Sequence, residues 1–92
     1  METINLNAKI KIPKDVLFRE LEGEAVLLNL KTGVYFGLNP IGTRIWHLMQ
    51  KLGSLKPALK TLLAEYTVDA SRCEADLRDL AASLHKSGLI QI

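Results

Sequence analysis

Cysteine is nearly absent from this chain: Cys73 stands alone among 92 residues, which excludes an internal disulfide and a cysteine-built zinc cage. The two histidines, His47 and His85, share no metal-ligand spacing with each other or with a carboxylate, so neither a metal nor any other cofactor is expected. Long hydrophobic runs are lacking too. The longest wholly apolar stretch, residues 25–28, is far short of the roughly 20 residues that cross a bilayer. The N-terminal stretch alternates polar and apolar residues where a signal peptide needs an unbroken apolar block. The expectation is a cytoplasmic protein with no membrane contact. Charge of one sign is also missing, because 12 lysines and arginines face 10 aspartates and glutamates and the surplus is spread along the chain, so no general polyanion-binding role follows.

Catalytic constellations are absent in the same way. Gly33, Gly37 and Gly42 do not form a phosphate-cradling loop, since the spacing around Asn39-Pro40 fits neither nucleotide fingerprint. Cys73 falls on an apolar helical stripe, where a small buried hydrophobe is the simpler reading than a nucleophile. The chain reads as a non-enzyme.

What is present is apolar content of 48%, enough to fill one modest core in a single domain spanning residues 1–92. From residue 4 to 12, Ile4, Leu6, Ala8, Ile10 and Ile12 alternate with polar residues, the period of a strand with one wet face, and Pro13 ends it. Residues 16–21 and 24–31 give two further strands. Thr32-Gly33 predicts a hairpin turn, and residues 34–38 return antiparallel. Asn39-Pro40 then starts a helix with an N-cap and a proline at its first position. Its stripe is Ile41, Ile45, Leu48, Met49 and Leu52, and Gly53 ends it. Ser54 caps a second helix with stripe Leu55, Leu59, Leu62, Leu63 and Tyr66. Either Asp69 or Ser71, the latter with Glu74 as a capping box, opens a third helix with stripe Cys73, Leu77, Leu80, Ala81 and Leu84. Gly88 closes that helix as a left-handed cap, and residues 89–92 add a short strand or an apolar tail that packs. The expected architecture is α+β and winged-helix-like: an N-terminal antiparallel β-meander followed by three helices.

A helix-turn-helix invites a DNA-binding reading, but the third helix argues against it. Between Asp69 and Gly88, four acids (Asp69, Glu74, Asp76, Asp79) face three bases (Arg72, Arg78, Lys86), and the acids crowd the half that would enter the major groove. No nucleic-acid partner is expected. A winged-helix regulator or structural interaction module is kept as the alternative function.

The stretch Thr32-Gly33-Val34-Tyr35-Phe36-Gly37-Leu38-Asn39-Pro40-Ile41-Gly42-Thr43-Arg44-Ile45-Trp46 resembles the signature of PqqD-like proteins, also called RiPP precursor peptide recognition elements. Tyr66-Thr67-Val68-Asp69, Glu74-Ala75-Asp76-Leu77 and Ser87-Gly88-Leu89-Ile90 follow in the family's order, so the resemblance covers about residues 16–92. It is closer to stand-alone members linked to other peptide products than to the pyrroloquinoline quinone branch. The resemblance implies a peptide chaperone that binds the leader of a ribosomally made precursor as an added strand beside the last strand of the meander. It also implies delivery to a modifying enzyme such as a radical SAM enzyme, or to a protease. The residues expected to contact the peptide are Val34, Tyr35, Phe36 and Gly37 on the strand, and Asp76, Leu77, Leu80 and Ser83 on the third helix. Tyr35 is the strongest of these, because Gly37 leaves open space on its face, whereas Val34, Phe36 and Leu38 also read as core and Trp46 reads as a packing anchor.

The N-terminal segment, residues 1–12, is expected as a strand or arm whose apolar face pairs with a sheet edge, in its own domain or in a second copy as a homodimer. If that edge were the peptide-binding one, the segment would compete with the leader.

Overall fold

The computed structural model describes residues 4–92. Residues 1–3, and with them the first part of the expected domain and arm, lie outside the described residues. Three strands, β1 (Val16–Leu21), β2 (Glu24–Asn29) and β3 (Tyr35–Leu38), precede three helices, α1 (Pro40–Leu52), α2 (Leu55–Glu65) and α3 (Ala70–Lys86). The α+β order is the one the periodicities predict. No helix among the described residues is long and apolar enough to cross a membrane.

The strands form an antiparallel sheet in the order β1-β2-β3. Glu22 and Gly23 both take positive φ, 55° and 81°, which gives the two-residue turn whose twist suits a hairpin. The second connection is longer than expected: β2 stops at Asn29 instead of residue 31, and β3 starts at Tyr35 instead of Val34. Asn29 is the reason. Its buried carboxamide oxygen accepts from the backbone N–H of Lys31 at 2.9 Å and of Thr32 at 3.2 Å, drawing the chain off the ladder before Thr32-Gly33.

Asn39 caps α1, its side chain accepting from the Gly42 amide at 2.8 Å, and Gly53 closes the helix at φ 69° with a bond back to Met49. Asp69, not Ser71, caps α3, accepting from the amides of Ser71 and Arg72. The box glutamate, Glu74, instead accepts from Arg78 at 3.3 Å. At the other end of α3, Gly88 (φ 74°) donates to His85 and Leu89 donates to Leu84, a Schellman closure.

Ser54 stands at the α2 N-cap but makes no side-chain capping bond, contrary to the sequence expectation. The N-terminal arm replaces it: the Leu6 carbonyl accepts from the Lys56 amide at 2.9 Å, and the Gly53 carbonyl accepts from Ile10 at 2.7 Å. That arm is not the regular strand its alternation predicts. Asn5 folds it into a turn by accepting from the Asn7 amide, and among the described residues its strand-type pairing is limited to isolated bridges, Lys9 with Ser54 and Lys11 with Gln91. Both bridges bypass the β1-β2-β3 sheet. Ile4 and Ile10 are nonetheless buried in the common core. Alternation reports only that one side of a segment is covered, and here the helix corner and the C-terminal tail cover it.

The core gathers Leu27 from the sheet, Trp46 and Met49 from α1, Leu55 and Leu62 from α2, Leu77 and Leu84 from α3, and Leu89 and Ile90 from the tail. Trp46 anchors α1 on the sheet, stacking on Phe18 at 6.4 Å, and Phe18 meets the edge of His47, which pairs with Glu20 at 2.7 Å. Three stripe residues depart from expectation: Ile41, Leu52 and Tyr66 are substantially exposed. Thr43, between the stripe positions of α1, is buried, with its hydroxyl 3.5 Å from the Leu38 carbonyl.

Candidate functional site

Because β2 lies between its neighbours, β3 has one free edge. Its register with β2 identifies which groups line that edge. Asn29 donates to the Val34 carbonyl at 2.9 Å, so by antiparallel alternation the backbones of Phe36 and Leu38 also turn toward Leu27 and Ala25. The N–H and C=O groups of Tyr35 and Gly37 therefore point away from the sheet. Side chains alternate as well: Leu38 is buried and Phe36 partly so against the helices, while Tyr35, at 73% exposed, and Gly37 lie on the outer face.

Asn29 fixes what stands beside this edge. Its Nδ2 donates to the Gly88 carbonyl at 2.9 Å, which ties the C-terminal end of α3 to the start of β3. At the opposite end, α1 begins two residues after Leu38, and its first turns share a cavity of about 150 Å³ with α2 and the N-terminal half of α3. The strand and α3 thus run antiparallel on one side of the molecule. The cavity walls are apolar, from Ile41, Ile45, Leu62, Tyr66, Val68 and Cys73, and its rim carries Asp69, Arg72 and Asp76.

Of the eight residues expected to contact a peptide, Val34, Tyr35 and Gly37 are exposed on or beside the edge strand, and Phe36 is half-buried. Asp76 and Ser83 are exposed on α3 and Leu80 is half-buried. Leu77 is different: it is fully buried and packs in the core, because the α3 stripe of Leu77, Ala81 and Leu84 points straight into the bundle while Leu80 sits at its margin. Sequence reasoning missed the cavity walls Ile41, Tyr66 and Val68. All three are large, apolar and exposed. Ile41 and Tyr66 were absorbed into core stripes, although each stands at a helix end where a stripe no longer needs to be covered.

The electrostatics around the cavity are structural. Arg44 of α1 grips the Glu65 carboxylate at the end of α2 through two hydrogen bonds, Nε to Oε1 at 2.9 Å and Nη2 to Oε2. Those bonds hold Glu65 below the usual carboxylate range. Burial, with the Asp76 charge adding to it, pushes the Cys73 thiol up, the opposite of an activated nucleophile. Among the described residues no group of three or more His, Cys, Asp or Glu side chains could hold a metal ion. The arrangement offers unpaired backbone groups on an exposed strand edge, which is suited to binding an extended chain.

Known proteins share this design. TbiB1, solved in complex with the TbiA(beta) leader peptide, is 38% identical over 88% of this chain and 94% of its own, with a TM-score of 0.82. A lasso peptide synthetase B1 complexed with the leader peptide superimposes with a TM-score of 0.81 over 92% of this chain and 100% of its own; at 24% identity it speaks to the fold alone. No curated protein matches the chain. The profile of coenzyme PQQ synthesis protein D, PqqD, matches residues 24–90. With that match spanning the sheet's second strand to the buried tail, the chain belongs to the PqqD family.

Proposed function

We propose that this chain, acting as one domain, binds the leader segment of a ribosomally made precursor peptide as a fourth strand on the free edge of β3. It then presents the peptide to a modifying enzyme, such as a radical SAM enzyme, or to a protease. The observation that carries this reading is the pair Tyr35 and Gly37, whose backbone groups lie unpaired on an accessible edge. An uncovered edge invites uncontrolled pairing unless a partner strand occupies it. Membership of the PqqD family and the leader-bound state of TbiB1 support the same occupant.

In this reading Tyr35, Gly37 and the neighbouring Val34 and Phe36 hold the peptide backbone and its outward side chains, and the α3 flank of Asp76, Leu80 and Ser83 meets the inward ones. Leu77 supports that flank from below. The terminal cavity, at about 150 Å³, has room for one benzene-sized group. It suits a single large apolar peptide residue lying beyond the strand.

Calorimetric titration with the precursor peptide encoded nearest to this chain's gene tests the proposal. Saturable binding is expected, and Tyr35→Asp should weaken it by about 1–3 kcal/mol, as for interface anchors, with the thermal unfolding midpoint unchanged. Absence of binding together with salt-dependent affinity for duplex DNA would favour a winged-helix regulator instead.

A further inference from the structure

Gly37 is a glycine that the fold does not require. Its φ is not positive, its strand pairs with β2 without a bulge, and a Cβ built on it meets nothing within 4 Å. Any residue could stand there, and a β-branched one would suit a strand better, since glycine in a strand interior loses conformational freedom and packing. With a bulge and a tight bend excluded, the remaining reason for a strand glycine is the close approach of another chain.

The gap lies on the outer face. Gly37 pairs with Val26, and Tyr35 pairs with Leu28; Val26 is 49% and Tyr35 73% exposed. The missing side chain therefore leaves a notch walled by Tyr35 along the strand and floored by the glycine backbone, with the Val26 methyls across the ladder. A strand added at the free edge, where Gly37 turns both backbone groups outward, sets one of its own residues directly opposite Gly37 and on the same face. A large side chain at that position can fold over the glycine onto Val26, the arrangement by which an aromatic residue compensates a strand glycine.

We infer that Gly37 is a specificity-determining position, which selects peptides carrying a bulky apolar side chain, aromatic or branched aliphatic, opposite it. The inference rests on peptide binding at the β3 edge and names the chemistry of one peptide residue. Asp76, Leu80 and the terminal cavity face other peptide positions and are not involved.

The test is selection from a displayed library of short randomised peptides, run in parallel on the wild-type chain and on Gly37→Val. The variant is expected to unfold at the same temperature as the parent or higher. Wild-type selection should enrich peptides that shift the Tyr35 and Gly37 amide resonances and share a large apolar residue at one position. Selection on Gly37→Val should replace that residue by glycine, alanine or serine. A peptide chosen on the wild type should bind the variant about tenfold or more weakly, the worth of a filled apolar pocket, and the gap should close when its large residue is cut to alanine. Peptides that shift the same amides but show one preference and equal affinity for both proteins would overturn the role of Gly37 and leave edge binding standing. Peptides that bind without shifting the β3 amides would overturn edge binding itself, and this inference with it.

Discussion

At the scale of single residues, Asn29 has the widest reach. One buried carboxamide ends β2, shapes the turn into β3 and, by donating to the Gly88 carbonyl, holds the end of α3 beside it. Removing it leaves three backbone groups to find other partners. Asn29→Ala should therefore lower stability by about 1–3 kcal/mol in chemical denaturation, and a change near zero would show that water replaces all three bonds. The Arg44–Glu65 pair gives a second residue-level expectation. A carboxyl held below its usual range in the fold contributes stability above its unfolded pKa and loses it as pH falls through the folded one. Glu65→Gln should thus be less stable than the parent near neutrality and equal to it in acid, by a small margin because the pair is exposed. A gap that persists unchanged into acid would contradict the assignment. Neither residue could be singled out from the sequence. The partner of Asn29 lies 59 positions away, and a local pattern records that a polar residue is present, not what it reaches. The Leu77 and Leu80 pair shows the same limit more finely: both fit the α3 stripe, and only the packing direction makes one core and the other margin.

At the scale of elements, the caps and periods written into the chain were enough for the helices and, to within two residues at their ends, for all three strands of the meander, because Asn39-Pro40, Gly53, Asp69 and Gly88 act within a few residues of themselves. The arm was not legible in the same way. Its alternation correctly marks Ile4 and Ile10 as covered, but Asn5 turns the chain and the arm spends its hydrogen bonds on Gly53, Lys56 and Gln91. It caps α2 in place of Ser54. Arg78 pins it further, donating to the Ile4 carbonyl at 2.6 Å. The expectation that its removal would free a binding edge is therefore replaced by another: the arm holds the fold. Ile10→Ala should cost about 2–5 kcal/mol, the range for truncating a buried isoleucine, while leaving peptide affinity of the folded protein unchanged. Tighter peptide binding by that variant would restore the competing-arm view. Ile4 and Ile10 are covered by their own chain, without a second copy.

At the scale of the whole molecule, the site is a product of two elements that never meet in sequence. The edge strand could be identified from its position at the end of the meander, and the third helix from its stripe. Their antiparallel juxtaposition depends on Asn29 and Gly88 at one end and on the shared cavity under Ile41 and Tyr66 at the other. In the proposed mode neither β3 nor α3 alone would select a peptide: the strand supplies backbone groups common to every sequence, and side-chain selection would fall to Gly37, the α3 flank and the cavity. That division makes the alternation along β3 the sharpest point at which the structure can be checked. In the free protein, the amides of Phe36 and Leu38 are bonded to β2 and those of Tyr35 and Gly37 are open, so hydrogen exchange should be slow at the first pair and fast at the second. Hydrogen exchange of these four amides, followed by nuclear magnetic resonance with and without saturating leader peptide, is the most direct measurement. Strong new protection at Tyr35 and Gly37, with little change at Phe36 and Leu38, is the expected result. A tightly bound leader that leaves Tyr35 and Gly37 exchanging as fast as before would contradict strand addition at this edge.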